Sequence, residues 1–313
     1  GIDNDGLAGI EYIYNDYLKS KNGSLNVYTD AKGNIMPDKT SYYSSSTSGY
    51  DIYLTIDIEV LNILDNVISN AVSRYKPDQV MALVTNVKTG EILGMSSYPG
   101  FEPEYYQKYD QEIYNRNLPI WMSFEPGSTF KFVTYSAGLE EKVFDLNEGF
   151  YDPGYRIVAG TRIKDWKAGG HGQETFLQVL QNSCNPGFME IGERLGTEKL
   201  FGYISKYGFG EKTGIDLLGE SKGIVFNTKN VGPLELATSS FGQGNSTTPI
   251  QLVNAVSASV NGGSLMVPYV LKYISNSTGD MLHEKQPTLK RKVISEETSA
   301  LMRYALETVV ANG

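Results

Sequence analysis

The sequence predicts an α+β fold, a helix-covered antiparallel sheet plus an all-helical lobe, and three observations predict it. Residues 51–98 place a strand, a long amphipathic helix and a hairpin in succession, the arrangement of a sheet packed by helices. Residues 128–208 carry mostly helical periodicity. Residues 250–310 return to a helix, two strand-like runs and a closing helix.

Each element has a local reason. A short helical pattern covers residues 7–18, and probable strands follow it. Residues 37–50, PDKTSYYSSSTSGY, are rich in Pro, Ser, Thr and Gly and read as a linker or exposed loop. DIYLTID then reads as a strand running into a helix cap at Asp57. Val60, Leu61, Leu64, Val67, Ile68, Ala71 and Val72 repeat at helical spacing until Pro77 closes the segment. VMALVTNVKTGEILGMSSY gives two apolar runs around a turn at Lys88-Thr89-Gly90. STFKFVTYSAGLEEK and ETFLQVLQNS are helices, FMEIGERLGTEKLFGYISKYG reads as two more, and YRIVAGTRIKDW is a hairpin around Gly160. SEETSALMRYALETVV ends the chain as a capped helix.

The 313 residues allow one large domain or two ordinary ones. A net charge of -9 argues against nucleic acid as a partner. One cysteine excludes an internal disulfide. Residues 1–20 carry acids without a basic leader region, and no apolar run is long enough to span a bilayer. Both ends read as cut from something longer.

Three short patterns carry chemistry. Ser-x-x-Lys places a hydroxyl and an amine one helical turn apart on one face. Acyl transfer needs that pair, because a serine is inert until a base takes its proton, and a lysine serves only when neutral. The pattern occurs as Ser73-Lys76, a solvated helix end before Pro77, and as Ser128-Lys131, directly after Pro126-Gly127. At the second, free N–H groups favour negative charge developing beside Ser128; an ordinary helix cap is the competing reading. Ser-x-Asn occurs as Ser24-Asn26, Ser183-Asn185 and Ser259-Asn261. The outer two read as turns, whereas Ser183-Cys184-Asn185 is a loop between helices whose alternate side chains can face one cleft. Lys-Thr-Gly occurs as Lys88-Thr89-Gly90 in the hairpin turn and as Lys212-Thr213-Gly214 between Gly-rich turns. Neither sits on a strand edge that could pair with an extended peptide.

Longer segments carry a resemblance. RNLPIWMSFEPGSTFKFVTYSAGLEE, GGHGQETFLQVLQNSCNPGFMEIGERLG, KYGFGEKTGIDLLGE and SFGQGNSTTPIQLVNAVSASVNGG resemble class B penicillin-binding proteins, collinearly over the chain. GIDNDGLAGIE, YTDAKGNIMP and KRKVISEETSALMRYALETVVANG are most similar to sporulation-specific members. The three short patterns are that family's motifs. The resemblance implies a penicillin-recognising transpeptidase fold with Ser128 at the junction of sheet and helical lobe. Residues 1–50 would end an N-terminal pedestal region and linker, and residues 51–313 would be the transpeptidase domain. It implies Ser128 as nucleophile, Lys131 as its base, Ser183 as proton relay and Asn185 as a contact to the substrate amide. The reaction would be D,D-transpeptidation of peptidoglycan stem peptides in spore cortex, with β-lactams acylating the same serine and no cofactor required for catalysis. Lys212-Thr213-Gly214 belongs to a recurring segment outside the active site. The catalytic Lys-Thr-Gly is expected after Gly313, so the domain reads as incomplete at its C-terminus, and these residues alone would lack the oxyanion-hole N–H of that strand. The family places the protein on the extracytoplasmic face of the cell membrane (the forespore membrane for a sporulation member), with its anchor outside this chain and a membrane glycan polymerase as partner. Two other functions compete: a β-lactam-sensing or -hydrolysing domain, which shares the first two patterns, and a non-catalytic scaffold for a glycan polymerase.

Asp165, His171 and Cys184 stand in loop or hairpin signals, with gaps of five and twelve residues between them. Carboxylate, imidazole and thiolate together suit zinc. Cys184 would point behind the 183–185 loop while its neighbours face the cleft, so a structural zinc could brace the loop from the rear. A buried thiol and a backbone-bonded histidine are the alternative, since only three ligands are visible where structural zinc takes four.

Overall fold

The computed structural model describes residues 5–30, 32–36 and 42–312, which form two compact units. One unit gathers Gly1–Thr55, Asp216–Leu218 and Val270–Gln286; the other gathers Ile56–Ile215, Gly219–Tyr269 and Pro287–Gly313.

The first unit has two short helices, Gly9–Ile13 and Asn15–Leu18, within the predicted helical pattern. Its main sheet is antiparallel, with Leu271–Ser275 between Met281–Glu284 and Asp51–Leu54. Tyr14, Leu271 and Ile274 form its buried centre, with Ile10, Ile13 and Ile52 packed against them. Asp216 holds this centre together: its carboxylate accepts from the N–H groups of Val270 at 2.7 Å and Leu271 at 2.9 Å. The predicted linker is not wholly irregular. Residues 37–41 lie outside the described residues, but Tyr42–Ser44 is a strand paired with Ser24–Asn26. Ser24-Asn26 therefore lies in one of the probable strands expected after residue 18, and the turn reading of that Ser-x-Asn copy gives way because a partner strand overrides weak local preference.

The second unit opens with the predicted helix, Ile58–Tyr75, whose first N–H groups, Glu59 and Val60, donate to Asp57. Its buried side chains, Leu64 and Ile68, face inward, and Gly94 lets the hairpin approach closely: a Cβ there would meet Leu64 and Val60 at 2.9 Å. The hairpin pairs Val80–Thr85 with Ile92–Tyr98, so the helix covers an antiparallel ladder. The lobe beyond is built on Lys131–Glu140, buried at every position from Lys131 to Leu139. Helices Phe176–Gln181, Asn185–Lys206, Pro233–Ser240, Pro249–Val260 and Glu296–Asn312 complete it. Phe130, Tyr135, Phe144, Phe176 and Phe188 fill its core. Gly196, at φ 72° and ψ 168°, divides Asn185–Lys206 into the two helices predicted there.

The lobe is not all-helical. Besides the predicted hairpin of Tyr155–Val158 and Thr161–Lys164, Gly149–Asp152 pairs with Gly172–Thr175. That second ladder joins segments separated by the hairpin, a pairing that no local periodicity announces. It puts Asp152 opposite Gly172, beside His171.

Candidate active site

Ser128 stands on a 3₁₀ turn, Gly127–Phe130, that runs into the Lys131–Glu140 helix. Pro126 and Phe130 take the two cap positions, so Ser128 is neither cap, and its side chain is exposed while Phe130 is buried. The turn is fixed by the 241–247 segment. Phe124 and Thr247 exchange backbone hydrogen bonds of 3.0 and 2.9 Å, Gly127 N–H donates to Gly242 O at 3.1 Å, and Gly244 N–H donates to Glu125 Oε1 at 3.1 Å. Only glycine fits at 242, where φ is 87° and a Cβ would lie 2.0 Å from Gly127 O.

Lys131, three residues on, turns its amine inward. It is 3% exposed, and Nζ donates to Ser183 O at 2.7 Å, Ser183 Oγ at 2.9 Å and Asn185 Oδ1 at 2.7 Å. Burial lowers its pKa to about 8, against opposition from Asp165 and Cys184. Three acceptors match the three hydrogens of an ammonium. A neutral amine has two hydrogens and a lone pair, so one partner must then become a donor. Neither the carbonyl of Ser183 nor Oδ1 of Asn185 can donate; a hydroxyl can. The site thus holds two of the amine's hydrogens and leaves its lone pair to the Ser183 hydroxyl, the hydroxyl bonded to it.

The loop that carries these acceptors joins Phe176–Gln181 to Asn185–Lys206. A capping box between Thr175 and Gln178 starts the first helix, and Cys184 caps the second, its Sγ accepting from Gly187 N–H at 3.4 Å. Ser183 takes φ 53°, a left-handed conformation that costs a non-glycine residue on the order of 1 kcal/mol and needs outside support. Ser183 and Asn185 therefore both reach Lys131, while Cys184 between them is buried in the core.

Behind the loop, Asp165, His171 and Cys184 meet a fourth residue, Asp152, and their ligand atoms all lie within 4.8 Å of one another. Asp152 was not legible in the sequence: in Asp152-Pro153-Gly154 it looks like a turn acid, and its Oδ1 does accept from Gly154 N–H at 2.7 Å. His171 Nδ1 lies 3.1 Å from Asp152 Oδ2 and 3.0 Å from Asp165 Oδ2, yet Asp165 Oδ2 is buried without a hydrogen bond. Burial and the neighbouring charge of Asp152 push the Asp165 carboxyl up. Burial also raises Asp152, but the N–H groups of Gly154 and His171 outweigh it and hold that carboxyl low. Burial, with Glu174 beside it, pushes the Cys184 thiol up. An orphaned carboxylate oxygen beside a second carboxylate, an imidazole and a thiol is a four-donor set that fits tetrahedral zinc.

The remaining motif copies are structural. Ser73 and Lys76 are exposed at a helix end. Lys88-Thr89-Gly90 is the hairpin turn, and Ser259-Asn261 closes the Pro249–Val260 helix. Lys212-Thr213-Gly214 lies on no strand: Glu220 accepts from Thr213 N–H at 2.6 Å, from the Thr213 hydroxyl at 2.5 Å and from Gly214 N–H at 3.3 Å. That carboxylate ties the tripeptide into a turn.

Comparison with known proteins identifies the family. The penicillin binding protein transpeptidase domain model matches residues 80–313. Stage V sporulation protein D of Bacillus subtilis is 54% identical over 315 residues, covering 100% of this chain and 49% of that protein. Peptidoglycan D,D-transpeptidase FtsI of Escherichia coli is 30% identical over 251 residues, covering 80% of this chain and 42% of that protein. The chain spans about half the length of the curated relatives it matches. Among solved structures, a peptidoglycan synthetase from Bifidobacterium adolescentis superposes with a TM-score of 0.88 at 27% identity, over 99% of this chain and 56% of that one. Penicillin binding protein 2X from Streptococcus thermophilus gives 0.80 at 26%, over 96% and 44%. With the predicted α+β transpeptidase fold present and a serine–lysine pair at its heart, the chain belongs to the penicillin-binding protein transpeptidase family.

Proposed function

We propose that the whole protein is a serine D,D-transpeptidase that cross-links peptidoglycan stem peptides in spore cortex and is acylated by β-lactams. The observation that carries this is the buried amine of Lys131, one turn past an exposed Ser128 and bonded to both Ser183 and Asn185. Likeness to stage V sporulation protein D supports the sporulation role.

In this reading, neutral Lys131 takes the proton of Ser128 Oγ as that oxygen attacks the carbonyl carbon of the D-Ala–D-Ala bond. The Ser128 N–H stabilises the negative charge on the former carbonyl oxygen. When the C–N bond breaks, the leaving D-Ala nitrogen receives the proton from Lys131 through the Ser183 hydroxyl. An ester on Ser128 remains. The amine of a second stem peptide attacks that ester and gives its proton back along the same route, which restores Ser128. Asn185 orients the donor peptide through its side-chain amide. A β-lactam enters by the same first step and stays as an ester.

Residues 1–50 are read as the end of a pedestal region and residues 51–313 as the transpeptidase domain. The protein works at the extracytoplasmic face of a cell membrane with a glycan polymerase as partner; among the described residues no helix is long and apolar enough to cross a membrane. We also infer that Asp152, Asp165, His171 and Cys184 hold a structural zinc. It would supply no catalytic chemistry; it would keep Cys184 as thiolate and pin the start of the Asn185–Lys206 helix.

The test is mass spectrometry of the full-length protein after exposure to penicillin. A single adduct on the peptide containing Ser128, absent in Ser128→Ala, is the expected result. An adduct elsewhere, or none, ends the proposal, and rapid turnover of a chromogenic cephalosporin would make the protein a hydrolase instead.

A further inference from the structure

Trp166 is 67% exposed, an unusual place for a large aromatic side chain, and burial therefore accounts for little of its role. Its polar atom is engaged: Nε1–H donates to Asn182 O at 2.9 Å. The preceding residue reaches the other end of the same loop, where Asp165 Oδ1 accepts from Asn185 N–H at 2.9 Å. Two consecutive residues thus grip the loop on either side of Ser183, which sits between those points in a left-handed conformation. Their own base is anchored, since Asp165 N–H donates to Gly154 O at 2.9 Å and the Trp166 ring meets His171 edge-on at 5.5 Å. All three acceptors of the Lys131 amine come from the gripped segment.

We propose that Asp165 and Trp166 are positioning residues for the reaction: a two-point clamp that holds the 182–185 loop, and through it the Lys131 amine. A loop free to leave the left-handed conformation at Ser183 would carry the Ser183 carbonyl and hydroxyl away from Lys131, and the lone pair would lose its aim. The grip itself is independent of the assigned function, whereas its effect on acylation rests on Ser128 being the acylated residue. The clamp is also distinct from the zinc inference, because it uses Asp165 Oδ1 and a side chain that ligates nothing.

The experiment is Trp166→Phe in the full-length protein, which keeps an aromatic ring and removes the N–H. Loss of one hydrogen bond predicts that amide hydrogens of residues 182–185 exchange about fivefold faster. The rate constant for acylation by a β-lactam should fall by about the same factor, with the preceding non-covalent Kd unchanged. Unchanged exchange overturns the clamp whatever the kinetics show. Faster exchange with undiminished acylation overturns the positioning role. A fall in Tm of several degrees would make Trp166 a fold residue and overturn it too. If the wild-type protein forms no adduct, the assigned function fails while the exchange measurement still decides the grip.

Discussion

Lys131 is the residue on which the proposed chemistry turns, because a buried amine and a solvated one differ in their charge at neutral pH. Burial brings its pKa to about 8 from the ordinary lysine value of 10.5. Lysine acts as base in its deprotonated form, so acylation must rise with pH through that value and level off above it. With a pKa near 8, the neutral fraction is roughly one-tenth at pH 7 and nine-tenths at pH 9, so the acylation rate constant should rise about tenfold between them. Stopped-flow acylation by a chromogenic β-lactam checks this; a rate still climbing through pH 10 would mean the amine is solvated. The two serine–lysine pairs show how little the tetrapeptide decides by itself. Ser73-Lys76 and Ser128-Lys131 have the same spacing, yet one lysine is exposed and the other is 3% exposed.

At the scale of elements, the decisive feature is a turn held by another turn. Gly127–Phe130 carries Ser128, and Gly242 is pressed against it so closely that a Cβ would stand 2.0 Å from Gly127 O and 2.7 Å from Phe130 Cβ. Gly242→Ala should therefore cost about 1–3 kcal/mol for the backbone conformation and a similar amount for the displaced turn. Calorimetry should show a lowered Tm, and acylation of Ser128 should fall with it, because the obstructing atom is backbone that carries the serine. An unchanged Tm and rate would mean the turn is not set by this contact. Helices were legible at this scale. Asp57 caps Ile58–Tyr75, Gly196 splits Asn185–Lys206, and the Gly160 hairpin turns where predicted, since each depends on residues within one or two turns of chain. The Gly149–Asp152 strand was not, since it exists through a distant partner.

At the scale of the whole molecule, the four candidate ligands arrive from a strand end, a hairpin exit, a glycine-rich turn and a helix cap: Asp152, Asp165, His171 and Cys184. A metal bound there would tie three stretches of chain to the loop behind Lys131. Elemental analysis of protein purified without chelators should give about one zinc per chain, and stripping it should lower Tm. Asp152→Asn should weaken retention of the metal by at least about 10- to 100-fold, the range for losing a group that only supports a ligand. Metal-free protein with an unaltered Tm would leave the cluster as a buried hydrogen-bonded group.

The amino-acid order by itself determined the α+β class, the helices and their caps, the family resemblance and the short patterns worth testing, because periodicity, capping and turn chemistry act over a few residues. Only the tertiary structure decided which lysine is buried beside Ser183 and Asn185, that Glu220 locks Thr213 into a turn, and that Asp152 joins His171. Burial and charge proximity depend on residues far apart along the chain. Those two quantities set protonation states, and protonation is what separates a catalytic lysine from an ordinary one.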